Sequence, residues 1–341
     1  MARYSGGLRA LVSRAAQAVV TLLGASLVIW VLALLGPGNP AARVLMAGGL
    51  QNPTTGEIRA EAHRLGLDQP AYLRYWHWLV DAVQGNLGTS WSTGRPVTQE
   101  FTSRLGATAR LTSAALVLAV AIAIVLAIIA FAGARRWPDI AARTIALFLI
   151  SVPSFLVGIA VLNIVVVRFG HFEVLTNGNW NTVFLPALTL ALAPGAAWSR
   201  VLRASLLEAS GAAYQQVALA RGVRPRRLLM QHTMLNSMTP FLTVVGVGTA
   251  ALLGGAPIVE AVYTWPGVGA FLVQAIGARD IPVVQGFTLI GILIYVVTSF
   301  IVDIIIGVID PRARRALVQE SPASASRISW HGFHRKVRQE L

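Results

Sequence analysis

Cysteine is absent, lysine occurs once and charge is scarce. Without cysteine the chain forms neither a disulfide nor a thiolate metal site. The single lysine, Lys336, follows Arg335 rather than a glycine. A phosphate-binding loop of the form Gly-x-x-x-x-Gly-Lys-Ser/Thr is therefore excluded, and with it an ATPase of that type. Charged residues make up only 12% of the 341 positions, about half the share usual in soluble domains, while 55% are hydrophobic. That balance places the chain among polytopic membrane proteins. The net charge of +14 comes from arginines lying between apolar runs. Such a distribution suits membrane topology and anionic lipid better than nucleic acid. His63 and His77 do not form a close pair with acidic ligands at metal spacing, and no nucleophile–base or paired-carboxylate constellation stands out. No catalytic group, metal or cofactor is expected in this chain.

Six apolar runs organise what is there, so the expected fold is all-α with six transmembrane helices. Residues 1–14 are a short basic tail. The first run, Gln17 to Leu35 within segment 15–35, is long enough to cross about 30 Å of hydrocarbon and reads as an uncleaved signal anchor. A polar region, 36–105, follows and is expected on the extracytoplasmic side. In it Glu57 to Leu65 reads as a short helix closed by Gly66. Tyr72, Tyr75, Trp76, Leu79 and Val83 share a face of a second, amphipathic helix, suited to the membrane interface or to packing on the chain's own loops. Residues 106–310 hold the other five runs: Leu111–Phe131, Ile145–Val167, about Phe184–Leu207, Phe241–Val262 and Phe287–Ile309. A basic tail, 311–341, ends the chain, and its Trp330, Phe333, Arg335 and Lys336 suit either a solvated segment or one lying on anionic lipid. Six crossings put both termini on one side, which the arginines of the 133–144 loop mark as cytoplasmic.

Few residues inside the runs have chemistry. Glu260 and Asp303 are the two acids within or beside a span, and such acids are candidates for a pathway or a gate. Each also has a structural reading: Glu260 ordering the loop after span five, Asp303 pairing with Arg200 or Arg203. Pro153 and Asn163 sit inside the third run, where the proline kinks a helix and frees a carbonyl. Gly246, Ala250 and Gly254 recur every four residues in the fifth, a stripe that lets another helix approach closely. That helix belongs either to this chain or to a second subunit.

The polar stretch 208–240 keeps helical periodicity between two spans. Tyr214, Val217, Ala218 and Arg221 fall at i, i+3, i+4 and i+7, on one face of a short helix. Gly222 ends that helix and Pro225 suits the first turn of the next. With Ala218, Ala220 and Gly222 at its end, such a helix fits a partner's groove; a plain topological connector is the alternative.

Glu208-Ala209, Gly211, Ala218-Leu219-Ala220-Arg221-Gly222, Asn236 and Pro240 resemble the EAA signature of ATP-binding-cassette importer permeases, with Ser210 in place of the usual alanine. Further blocks are similar to the dipeptide/oligopeptide/nickel branch of that family. They are Gly66-Leu67-Asp68-Gln69-Pro70, Leu87-Gly88-Thr89-Ser90, Trp265-Pro266-Gly267-Val268-Gly269 after Glu260, Arg279-Asp280 with Pro282, and Asp310-Pro311-Arg312. Gly106 and Arg110 depart from the family's Pro-Ala-Thr-Leu-Glu-Leu pattern. The resemblance implies a type I ABC importer permease in the bacterial inner membrane. It also implies a second, homologous permease, two cytoplasmic ATPase subunits that hold ATP and Mg, an extracytoplasmic substrate-binding protein, and docking of the 208–240 loop on an ATPase. The substrate it implies is a dipeptide or oligopeptide, with nickel or a metal chelate as the alternative. A self-contained secondary transporter or channel, using Glu260 and Asp303 as a relay, is the rival from another class.

Overall fold

In the computed structural model, residues 2–36, 38–168, 177–229 and 233–309 are described. Thirteen α-helices are found among them: α1 Ala2–Leu35, α2 Pro40–Ala47, α3 Thr55–Arg64, α4 Ala71–Val83, α5 Val97–Ala132, α6 Trp137–Ser151, α7 Ser154–Val161, α8 Phe184–Gly211, α9 Ala213–Ala220, α10 Pro225–Leu228, α11 Met234–Val262, α12 Val268–Ala278 and α13 Ile281–Ile309. A π-helical turn, Leu162–Arg168, extends α7. The only β-pairing among the described residues is an isolated bridge, Thr89 to Pro96. Five helices are long and apolar enough to cross a membrane, and a sixth crossing exists if the bent pair α6–α7 counts as one.

The expected third span is not a single kinked helix. Two legs, Trp137–Ser151 and Ser154–Val165, meet at 100°. The break follows from Pro153: it has no N–H to donate, and it forces Val152 to φ −87°, ψ 124°, an extended conformation. The basic segment 2–14, read as a tail, continues the helix of the first span. The Asp310-Pro311-Arg312 block and the 311–341 tail lie outside the described residues.

A stripe of small side chains sets the core. Ala107, Leu111, Ala115, Ala119, Ala123 and Ala127 recur every four residues along α5 and are all buried. They face α8, the most buried of the apolar helices, 61% of whose apolar window is inside against 11% for α1. Small side chains let the two backbones come close: a Cβ added at Gly195 of α8 would stand 2.8 Å from the Ala119 carbonyl oxygen. On its other side α8 meets α11, where a Cβ at Gly248 would lie 2.5 Å from the Trp198 ring. Gly248 thus serves contact within the chain.

Region 36–105 is pinned to the core at the α12–α13 turn. Asp280, 1% exposed, accepts from Ser90 Oγ at 2.5 Å and from the Ser92 amide at 3.0 Å. Arg279 donates to the carbonyls of Gly36 and Gly38 at 2.9 and 3.0 Å. Thr54 and Glu57 form a capping box at the start of α3, and Gly66 follows α3 at φ +66°. On α4, Tyr75 turns inward, its hydroxyl 2.9 Å from Ser26 of α1, while Tyr72, Trp76 and Val83 face outward. The single face expected of these aromatics is therefore divided.

The alanine stripe gives a direct test. Ala119→Leu forces bulk into the α5–α8 contact at an expected cost of about 1–3 kcal/mol. Val117→Leu, two residues away and 68% exposed, should be close to neutral. Thermal melting of the two purified variants in detergent checks the difference.

Candidate functional site

The two ends of the bundle differ. One is bound together by a buried acid; the other carries an exposed loop. Glu260 lies at the C-terminal end of α11 and is fully buried. Its Oε2 accepts from the backbone amides of Gly269 at 2.7 Å and Ala270 at 3.0 Å. These are orphan amides of the first turn of α12, so a carboxylate from one helix caps another, where the helix dipole also favours negative charge. Oε1 accepts from the Thr108 hydroxyl of α5 at 2.6 Å, and that hydroxyl in turn accepts from the Val268 amide at 2.9 Å. Trp265, fully buried, donates its indole N–H to the Ala107 carbonyl at 3.0 Å.

Space dictates the glycines of this turn. Gly267 has φ −98°, ψ 178°, a conformation open to any residue, but a Cβ there would stand 2.2 Å from the Glu260 carboxyl group. A Cβ on Gly269 would fall 2.3 Å from Cα of Pro257. The departures Gly106 and Arg110 flank the same cluster, and Arg110 donates to the Gly178 carbonyl at 2.7 Å. Glu260 therefore orders the loop that follows it and holds α5, α11 and α12 together.

Beside this cluster runs an open groove of about 640 Å³, lined mainly by apolar side chains of α5, α11, α12 and α13. Thr108 and Gly269 lie at its wall, as do Ala250 and Gly254. A Cβ on Gly254 would meet nothing within 4 Å, whereas Ala250 is 2% exposed. Gly246 is half-buried and outside the groove lining. The small-residue stripe of α11 is thus shared between packing inside the chain and an open face. Pro153 and Asn163 are exposed, away from the groove.

At the opposite end, Arg203 of α8 makes a bidentate pair with Asp139 of α6, at 2.7 and 2.6 Å. Asp139 is 2% exposed. Arg203, offered as a partner for Asp303, is thus engaged by Asp139, and Arg200 is exposed. The side chain of Asp303, on α13, lies outside the described residues, as do those of Tyr214 and Ala218.

The 208–240 stretch begins as the end of α8. Glu208, Ala209 and Gly211 belong to that helix, which stops where Ala212 turns extended at φ −67°, ψ 141°. The short helix α9 then runs across. Gln215 anchors it, donating to the Thr233 hydroxyl at 2.7 Å in a buried contact. Val217, Ala220, Arg221 and Gly222 are exposed. Gly222 has φ +78°, the left-handed conformation of a helix-ending glycine, and a Cβ there would meet nothing within 4 Å. Pro225 starts α10 as expected.

An all-helical bundle with an exposed cross-helix between two crossings defines the class: a permease subunit of an ABC importer, with the type I fold. The chain belongs to the family described as binding-protein-dependent transport system inner membrane component, which matches residues 119–315, and the N-terminal component of the same system matches 7–112. It is 35% identical over 296 residues to the glutathione transport system permease protein GsiC of Escherichia coli (strain K12), covering 87% of this chain and 95% of the relative. The protein of that name from Shigella dysenteriae serotype 1 shows the same identity and coverage. Among solved structures, inward-facing MetNI methionine ABC transporter shares the fold, with TM-score 0.50 and 13% identity over 62% of this chain and 97% of that one. The chain is therefore a multi-pass inner-membrane subunit of the dipeptide/oligopeptide/nickel type, and family membership implies a binding protein, another permease and ATPase subunits. Nothing in the sequence pattern marked the pairing of Glu260 with Thr108 or of Trp265 with Ala107, each more than 150 residues apart. The alanine stripe on α5 was readable as an i, i+4 repeat and was passed over.

Removing the Glu260 carboxylate strands two buried amides, each at about 1–3 kcal/mol. Glu260→Ala should lower the melting temperature clearly, and Gly267→Ala should lower it too. Glu260→Gln, which keeps an acceptor oxygen, should fall between Glu260→Ala and the parent. A relay role would give a different pattern: Glu260→Gln abolishing transport at unchanged stability.

Proposed function

We propose that this chain forms half of the translocation pathway for a small peptide and receives its drive through α9, docked on a cytoplasmic ATPase. The observation that carries the docking is the exposed, left-handed Gly222 after a helix that the buried Gln215 anchors from beneath. A surface of small residues with open space above it accepts a partner's cleft. Glu208 and Gly211 extend the same exposed surface. The peptide assignment is supported by the relatives named for glutathione, a tripeptide. The apolar groove beside Ala250 and Gly254 is the face offered to the second permease, the two subunits enclosing the path between them. ATP supplies the bias between inward and outward states because it binds the docked ATPases differently in the two.

Gly222→Val imposes left-handed strain and adds bulk, together about 1–3 kcal/mol. ATPase binding should weaken by about one to two orders of magnitude at 1.4 kcal/mol per factor of ten. Gly222→Asn separates the causes, since asparagine tolerates the left-handed region and strain alone would spare it. ATPase co-purification and substrate-stimulated ATP hydrolysis are the readouts. Full assembly and turnover with Gly222→Val would reduce α9 to a connector.

On this reading both termini and α9 lie in the cytoplasm, and region 36–105 lies outside. Single cysteines at Gln51 and Gln84, both exposed, should react with a membrane-impermeant maleimide in intact cells. Labelling only after lysis would reverse the orientation.

A further inference from the structure

A second cavity, separate from the groove, lies between α1, α4, the 88–94 turn and the start of α13, with a volume of about 580 Å³. Arg74, Trp78 and Gln285 all line it. The Arg74 Nε–H, the Trp78 indole N–H and the Gln285 amide N–H are buried, and no acceptor among the described residues reaches them. Gln285 is 2% exposed. All three atoms are donors, and each buried donor without an acceptor is costly. Arg64 and His77 add further basic groups to the wall, and no Asp or Glu lines it. Arg64 is paired with Glu61 on its own helix, whereas the Arg74 guanidinium stacks over the Trp30 ring at 5.6 Å. Burial pulls the Arg74 guanidinium below its ordinary pKa, against the field of Asp68. Such an environment suits an acceptor-rich anion.

The position says which one. Trp30 and Leu34 of α1 form part of the wall, and α1 is the least buried of the membrane-crossing helices. The outward face of α4 presents Tyr72, Trp76 and Val83, 72%, 61% and 83% exposed, aromatics and an aliphatic of the kind found at headgroup depth. We propose that this cavity binds the phosphodiester of an anionic phospholipid headgroup, with Arg74, Trp78 and Gln285 as its donors and the acyl chains running down α1. The lipid would then join the first span and α4 to the start of α13, closing the donors that the protein leaves open.

The test uses the full-length chain, delipidated in detergent and titrated with phosphatidylglycerol, phosphatidylcholine or inorganic phosphate. Bound lipid is counted by native mass spectrometry and stability by thermal melting. Phosphatidylglycerol should bind at about one per chain and raise the melting temperature, phosphatidylcholine should bind more weakly, and phosphate should do neither. Arg74→Gln and Gln285→Leu should each weaken phosphatidylglycerol binding about tenfold. Trp78→Phe, which keeps the ring and removes one donor, guards against misfolding and should weaken it less. Three results would overturn the proposal. One is unchanged affinity in the three variants, and another is stabilisation by phosphate alone. The third is a Gln285→Leu chain that melts higher while binding lipid as before, which would make the donors a plain cost of burial.

Discussion

The fold depends on one buried carboxylate. Glu260 ends α11, caps α12 and receives the Thr108 hydroxyl of α5. Two neighbouring helices and a third more than 150 residues away in sequence are thus fixed to a single group that accepts three hydrogen bonds. The fit around it is tight: Gly267 and Gly269 are glycines because the carboxylate and Pro257 occupy the space a side chain would need. With the α5–α8 alanine contact below it, this cluster makes the core a stiff bracket rather than a loose bundle.

A stiff bracket suits a subunit that transmits motion. Arg203 with Asp139 fastens α6 to α8 just before the exposed end of α8. Under the proposed docking, force applied at α9 would enter α8, which lies against both α5 and α11. From Phe184 to Arg203 the helix covers roughly 28 Å at 1.5 Å per residue, about the thickness of the hydrocarbon core. Packed helices thus connect the loop to the far end, with Pro194 as the one interior proline along α8.

The legible part of the sequence was local. Apolar length located five long helices, the i, i+3, i+4 pattern with Gly222 and Pro225 located α9 and α10, and Gly66 marked the end of α3. Pairings across the chain were not legible, because periodicity carries no information about which distant segment a side chain meets. Ser90 and Asp280 stood in separate blocks, and only the structure joins them, as it joins Thr108 to Glu260. Pro153 was visible as a kink, but the 100° turn depends on how Val152 and the following leg pack. The stripe Gly246, Ala250, Gly254 was correctly seen as small residues, yet spacing alone does not separate inward from outward: Ala250 is buried, Gly254 open, and Gly248 takes the contact with Trp198.

The central claim is that the exposed face of α9 is where an ATPase docks. With no native cysteine, a single cysteine at Ala220 can carry a photo-crosslinker, and the same label at Gln84 serves as the control at the other end. Irradiation of the assembled transporter should join the Ala220 site to an ATPase subunit and leave the Gln84 site unjoined to it. A transport-competent complex in which the Ala220 label never reaches an ATPase would contradict the claim.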